Sequence, residues 1–175
     1  SDQADAGVLS EHPLLRVDLL ASVIWGELML VARLHDLVEE ALDVGALVRG
    51  AVREFEQLGG RKVGCGSDEL MADVDPPKVE RIVENLLSNA ARHTTPESRI
   101  WARVDRRDDG ILLVVEDEGG GVPDQLKDAI FEPFRQGPGP ASASPGVGVG
   151  LSLVARFAEL HGGRVRATSE GFGRG

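Results

Sequence analysis

Residues 76–93 have the sequence PPKVERIVENLLSNAARH, and this stretch decides the fold. Asp75 precedes it as a candidate N-cap, and Pro76 suits the first position of a helix. Asn85 and Asn89 are four residues apart, so they lie on one face of that helix. Apolar side chains also recur at helical spacing along this helix. They predict a buried stripe formed by Val79, Ile82, Val83, Leu86, Leu87 and Ala90.

The segments after residue 42 predict helices and strands without strict alternation. Alternating β-branched residues on both sides of Asp108-Asp109-Gly110 are typical of a β-hairpin. The predicted helices cover residues 44–58, 76–93 and 148–160, and the predicted strands cover residues 61–65, 70–74, 99–106, 111–117 and 163–168. This order favours an α+β fold over a doubly wound parallel sheet.

The beginning of the chain has a different pattern. Residues 1–13 are expected to be a disordered lead-in, and Leu14–Glu40 is predicted to be one long helix. Its a/d seam consists of Val17, Ala21, Ile24, Leu28, Val31, His35 and Val38. Two interpretations are open: a core helix of the same domain, or part of a dimerising helical hairpin. The longest charge-free run of this predicted helix, residues 19–26, is shorter than the about 20 apolar residues that a membrane-spanning helix needs.

The composition of this 175-residue chain excludes several classes of function. It carries 19 Lys and Arg residues against 29 Asp and Glu residues, which gives a net charge of −10. Nucleic acid is therefore not expected as a partner, because neutralising phosphates needs surplus cations. The single cysteine, Cys65, permits neither an internal disulfide nor a cysteine-cluster zinc site. These features fit a reduced, cytoplasmic setting.

Polar and glycine-rich segments indicate a nucleotide site. Asn85, Asn89 and Arg92 share a helix face and suit a metal–polyphosphate group, although an ordinary solvated face has the same pattern. Residues 117–123, DEGGGVP, follow a predicted strand, and glycines let the backbone approach a ligand closely. Asp117 can accept a hydrogen bond from an exocyclic amine such as that of adenine. A tight turn into a helix is the alternative interpretation of this segment.

A second glycine-rich segment, residues 146–151 with the sequence GVGVGL, precedes the last predicted helix. Free amides at a helix N-terminus bind phosphate. Residues 137–146, rich in Gly, Pro, Ala and Ser, come before it instead of a strand and are expected to form a mobile loop. The missing strand excludes the dinucleotide-binding fingerprint, and the Walker P-loop sequence does not occur either. Phe131 and Phe134 are expected to anchor this loop, and ordinary core packing is compatible with that role.

The order of these segments resembles the N, G1, F and G2 boxes of the sensor histidine kinase catalytic domain. That domain is related to gyrases, heat-shock chaperones and mismatch-repair ATPases. The resemblance covers about residues 42–168 and implies a two-layer α/β sandwich of the Bergerat type, which holds ATP and Mg²⁺ under a flexible lid. It implies that Asn89 coordinates Mg²⁺, that Asn85 supports the same site, and that Arg92 faces phosphate, with Asn85 and Arg92 as the catalytic pair.

The resemblance also implies a set of nucleotide contacts. Asp117 would bind the adenine amine, and Arg135 would reach the phosphates when the lid closes. The other residues that match nucleotide-binding positions of the family are His93, Gly119, Gly121, Val122, Phe131, Gly146, Gly148, Gly150 and Leu151.

Asn85 distinguishes between branches of the resembled superfamily. The ATP-hydrolysing branches carry a glutamate there as general base, whereas here Glu84 comes one position earlier, about 100° round the helix. Because an amide takes up no proton at neutral pH, the site resembles one that holds ATP while another group attacks. Catalysis would then consist of positioning and charge neutralisation.

Three features depart from the family pattern. No H-box is present; His35-Asp36-Leu37 begins like one but continues differently, so His35 is not expected to be the phosphoacceptor. Val147 replaces the usual Thr or Ser of the last glycine box. Residues 14–40 resemble the second helix of a dimerisation hairpin, and residues 42–175 are expected to form the catalytic domain without its last strand.

The resemblance therefore implies a protein histidine kinase domain that donates the γ-phosphate of ATP to a histidine outside this chain. The implied partners are the phosphotransfer hairpin of the parent protein, a response regulator receiver domain and a second copy in a homodimer. A nucleotide-sensing or dimerising scaffold and an anti-sigma-factor serine kinase are the alternatives. The catalytic domain is expected in the cytoplasm, whether or not the parent protein is membrane-anchored.

Overall fold

A computed structural model describes residues 14–15, 38–59, 61–108, 110–133 and 149–169 of the chain. The helices of the described residues are α1 (Val44–Gly59), α2 (Pro76–His93) and α3 (Gly150–Leu160). The strands are β1 (Leu14–Leu15), β2 (Glu40–Asp43), β3 (Gly64–Cys65), β4 (Met71–Val74), β5 (Ile100–Arg107) and β6 (Gly110–Asp117). Two 3₁₀ turns cover Asp124–Leu126 and Ala129–Phe131.

The strands form two sheets, and the helices cover the larger one. The larger sheet has the order β1-β6-β5-β3, in which β5 and β6 are an antiparallel hairpin with Ile100 opposite Asp117. The smaller sheet pairs β2 with β4 in antiparallel register. Helices α1 and α2 contact β5, α2 also contacts β6, and α3 packs beside α2. This arrangement is the predicted α+β sandwich of one helical and one sheet layer.

The core lies between these two layers. Alternate residues of β5, namely Ile100, Ala102 and Val104, are buried, as the period of a strand requires. The predicted stripe of α2 is buried apart from Leu86, which is partly buried against the core. Helix α2 begins and ends at the predicted residues. It begins there because Asp75 caps its first turn and accepts a hydrogen bond from the Lys78 backbone N–H.

The predicted helix over residues 14–40 is wrong at both ends. Leu14–Leu15 forms a short strand parallel to the start of β6, and Glu40 begins β2. Side-chain periodicity alone cannot report backbone pairing, and an unpaired strand edge captures a nearby extended segment. Residues 16–37 and the predicted lead-in, residues 1–13, lie outside the described residues, so the heptad seam up to His35 is not tested.

The last predicted strand, residues 163–168, is also wrong. The chain there follows no regular secondary structure. Burial and exposure nevertheless alternate along this segment, since Val165 is buried between the exposed Arg164 and Arg166. The pattern predicted the burial correctly, but β1 is the strand that pairs with β6 on the side away from β5. The other boundaries differ less: the predicted strand 61–65 is reduced to Gly64–Cys65, and α3 begins at Gly150 instead of 148.

A buried polar cluster holds the start of α2. The Asp75 carboxylate accepts hydrogen bonds from Lys78 Nζ at 2.5 Å and from the Val38 backbone N–H at 3.1 Å. The Asp75 N–H donates to His161 Nε2 at 3.0 Å, and His161 Nδ1 lies 2.7 Å from the Phe157 carbonyl oxygen. Because a carbonyl only accepts, Nδ1 carries the proton of a neutral imidazole. Asp75 thus joins three parts of the chain: its carboxylate bonds α2 and the segment before β2, and its backbone N–H bonds the end of α3.

Removing the Asp75 carboxylate is expected to destabilise the domain strongly. The Asp75→Ala variant loses its helix cap and leaves Lys78 buried without its counter-ion, so the free energy of unfolding should fall by about 3 kcal/mol. Asp73→Ala, at an exposed position on β4, is the matched control and should change it by less than about 0.5 kcal/mol. Urea unfolding followed by circular dichroism measures both, and equal midpoints would contradict the account.

The charge of Asp75 also predicts a pH dependence. Burial acts to raise the pKa of this carboxyl, but the hydrogen bonds from Lys78 and Val38 outweigh it and hold the pKa below its usual value. A lowered folded-state pKa gives stability that is present above the unfolded pKa of about 4 and is lost as the pH falls. The stability difference between wild type and Asp75→Asn should therefore shrink below about pH 4. A difference that is constant from pH 7 to pH 3 would oppose this prediction.

Candidate functional site

The polar face of α2 meets the N-terminus of α3. Asn85 is half-buried, and its Nδ2 donates to the Arg81 carbonyl oxygen at 2.7 Å. This bond orients Asn85 Oδ1 towards α3: a Cβ at Gly150 would lie only 2.8 Å from it. Glycine at the first position of α3 therefore lets the two helices approach here. Asn89 is also half-buried one turn further along α2, and Arg92 and His93 are exposed at the end of the helix.

Glu84 lies on a different side of α2 from Asn85. It forms an exposed ion pair with Arg81 at 2.7 Å and lines a groove against α1 beside Phe55 and Leu58. The carboxylate nearest to Asn85 in sequence is thus directed away from the N-terminus of α3. This geometry agrees with the sequence argument that Glu84 cannot replace the glutamate of ATP-hydrolysing relatives.

The loop after β6 packs against the C-terminal end of α2. Asp117 is half-buried, and its Oδ1 accepts a hydrogen bond from the Gly119 N–H at 2.8 Å. No group of the described residues bonds the second oxygen, Oδ2. A Cβ at Gly119 would lie 2.9 Å from the His93 carbonyl oxygen and 3.0 Å from Thr94 Cγ2, so only glycine permits this contact. Gly121 has a φ of 67°, which favours glycine too.

An exposed ion pair fixes the loop after β6 to the start of β5. Arg99 donates to Glu118 from Nε at 3.0 Å and from Nη2 at 2.6 Å, and its guanidinium lies 4.9 Å from the centre of the Trp101 ring. The hydrogen bonds from Arg99 hold the pKa of Glu118 below its usual value and raise the pKa of Arg99. This pair holds the Glu118 carboxylate beside Arg99, at the start of β5.

The segment between β6 and α3 is described only in part. Phe131 is 5% exposed within the hydrophobic core, and its 3₁₀ turn packs against α3. It therefore anchors the start of the expected lid through core packing. Val122 and Leu151 are half-buried. Phe134, Arg135, Gly146, Val147 and Gly148 lie outside the described residues, so their predicted roles are not tested.

Sequence reasoning missed two groups of residues that support this site. Ser169 Oγ accepts from the Val122 N–H at 3.2 Å, and Lys127 Nζ donates to the Ser169 carbonyl oxygen at 2.8 Å, so residue 169 holds the loop after β6. Arg61 binds the turn that follows α2. Each contact joins residues more than 30 positions apart, and no local pattern signals such pairs.

The donor set fits Mg²⁺ bound together with phosphate. The described residues contain no cluster of three or more His, Cys, Asp or Glu side chains that suits a metal ion. Mg²⁺ commonly keeps few protein ligands and takes the rest from phosphates and water. The amide oxygen of the half-buried Asn85, beside a helix N-terminus, suits that mode. Within the same residues, no helix has the length and apolar character to cross a membrane.

Two similar proteins are sensor proteins of bacteria. The chain is 38% identical over 104 residues to the alginate biosynthesis sensor protein KinB of Pseudomonas aeruginosa. This match covers 59% of this chain and 17% of that protein. It is 31% identical over 169 residues to the sensor protein ChvG of Agrobacterium fabrum, covering 89% of this chain and 28% of that one. The chain thus spans less than a third of the length of these relatives.

A solved structure and a family model agree with these relatives. The mycobacterial sensor histidine kinase MprB superposes with a TM-score of 0.64 at 27% identity, over 74% of this chain and 84% of that one. Residues 74–175 match the model of the histidine kinase-, DNA gyrase B- and HSP90-like ATPases. The matched region contains Asn85, Asn89, Asp117 and Gly150, which lie on or near the second half of α2. The chain belongs to this ATPase family, and it carries the ATP-binding catalytic domain of the sensor histidine kinases.

Proposed function

We propose that this domain binds Mg-ATP along α2 and supplies its γ-phosphate to a histidine outside the chain. The adenine end lies at Asp117 and the loop after β6, and the phosphates lie between Asn85, Asn89 and the N-terminus of α3. The observation that best supports this proposal is that both places lie along α2: Gly119 contacts its last residue, and Asn85 faces Gly150.

Each end of the site has a chemical task. Asp117 Oδ1 is occupied by the Gly119 N–H, so Oδ2 is the oxygen that accepts the adenine amine. The N-terminus of α3 presents backbone N–H groups and the positive end of the helix dipole to phosphate. Asn89, with the support of Asn85, would hold Mg²⁺, which neutralises phosphate charge during transfer. Arg92, exposed at the end of α2, and the lid residue Arg135 are the proposed cations.

Asn85 favours transfer to another group over hydrolysis. An amide cannot remove a proton from water, and Glu84 faces the groove against α1. Water bound near the γ-phosphate is therefore not activated, while an incoming imidazole needs no general base. The proposed partners are the phosphotransfer hairpin of the parent protein, a response regulator receiver domain and a second copy of the chain. We place the catalytic domain in the cytoplasm, where ATP is available.

Asp117→Asn is expected to weaken Mg-ATP binding at least tenfold, or about 1.4 kcal/mol. The asparagine Oδ1 can still accept from Gly119, but its Nδ2 then presents a donor to the adenine amine, which is also a donor. Glu116→Gln, an exposed change at the neighbouring position of β6, is the control and should bind like wild type. Calorimetric titration measures the affinities. Equal binding by wild type and Asp117→Asn would refute the assignment of the base pocket.

Transfer, not hydrolysis, is expected when γ-labelled ATP and Mg²⁺ are added. The chain alone should release little phosphate, and label should reach the histidine of the added phosphotransfer hairpin of the parent protein. EDTA should stop this transfer, because Mg²⁺ offsets the phosphate charge. Rapid phosphate release without the hairpin, or label on His35 of the chain itself, would contradict the proposal.

A further inference from the structure

Arg61 makes an unusual set of hydrogen bonds with the end of α2. It lies in the connection between α1 and β3, and its guanidinium donates to four backbone carbonyl oxygens. Nη1 lies 3.0 Å from the Ala91 oxygen and 3.5 Å from the Thr94 oxygen. Nη2 lies 2.6 Å from the Thr95 oxygen and 2.9 Å from the Ser98 oxygen. One side chain thus holds the last turn of α2 and the turn that follows it.

The chemistry of this contact requires arginine. The planar guanidinium presents several N–H groups in a fixed fork, whereas a lysine offers a single charged point. A cation at the C-terminus of a helix is also favoured by the helix dipole. Arg61 Nε is buried and has no hydrogen-bond partner among the described residues, which costs free energy. The side chain keeps this position because the bonds from Nη1 and Nη2 offset that cost.

The turn that Arg61 holds packs against the loop after β6, where the adenine base is proposed to bind. Thr94 Cγ2 and the His93 carbonyl oxygen form the surface on which Gly119 rests. At the end of the same turn, Arg99 N–H donates to Glu118 Oε2 at 3.0 Å, and Glu118 N–H donates to the Arg99 carbonyl oxygen at 3.2 Å. The turn therefore lies between the Arg61 guanidinium and the loop after β6.

We propose that Arg61 is a positioning residue for recognition of the adenine base. It does not touch the nucleotide. It fixes residues 94–98, these fix Gly119, and the Gly119 N–H holds Asp117 Oδ1 so that Oδ2 faces the base. This inference rests on the proposed function, because it assumes that Asp117 reads the adenine amine.

The test is base selectivity in an Arg61→Gln variant. Wild type should prefer Mg-ATP to Mg-GTP, because guanine carries an oxygen acceptor where adenine carries the amine. In Arg61→Gln the dissociation constant for Mg-ATP should rise about tenfold and that for Mg-GTP much less, so the preference falls. Arg49→Gln is the matched control: Arg49 also binds a backbone carbonyl, that of Ser67, and pairs with Asp43, away from the site. It should lower the melting temperature without changing the ratio of the two affinities.

A second variant and a second measurement distinguish a loss of positioning from misfolding. Arg61→Lys keeps the charge but not the fork, so it should lose several-fold of the selectivity and shift the amide resonance of Gly119. Unchanged selectivity with an unchanged Gly119 resonance in the folded Arg61→Lys protein would overturn the inference while the proposed function stands. Failure of wild type itself to bind Mg-ATP would overturn both.

Discussion

The buried carboxylate of Asp75 is the constraint on which the rest of the structure depends. It caps α2, neutralises the buried Lys78 and bonds the backbone N–H of Val38, while its own N–H bonds His161 at the end of α3. Because a buried charge is costly without its partners, these groups must stay together. They fix the direction in which α2 leaves the small sheet and the distance between α2 and α3.

This frame places the site at a distance from the cluster that stabilises it. Asn85 meets Gly150 more than two turns beyond the cap, and Gly119 meets the far end of α2. The two ends of α2 are held by opposite charges, a carboxylate at the start and the Arg61 guanidinium at the end, as the helix dipole favours. Helix α2 is therefore the rigid element along which adenine and phosphate are separated. Rigid positioning is what a site that works by orientation and charge needs.

Local chemistry explains what the sequence could predict. Asp75 and Pro76 define the start of α2, and strand alternation defines the β5–β6 hairpin to within one or two residues. The glycine-rich segments also located the loop after Asp117 and, to within two residues, the start of α3. Long-range pairing was not predictable: β2 begins at Glu40, the last residue of the expected helix, because Glu40–Asp43 pairs with Met71–Val74, and residues 163–168 stayed irregular. The contacts of Arg61 and His161 join positions 30 to 86 residues apart, which no local pattern encodes.

Amide resonances of the isotope-labelled chain, recorded with and without Mg-ATP, test the central claim most directly. Binding of Mg-ATP along α2 should concentrate the changes at Gly119 and Gly121, at the side-chain amides of Asn85 and Asn89, and at the first turn of α3. The indole resonance of Trp101, on β5 beside Arg99, should stay in place. Changes centred on the β5–β6 hairpin with none along α2, or no change at saturating Mg-ATP, would contradict the account.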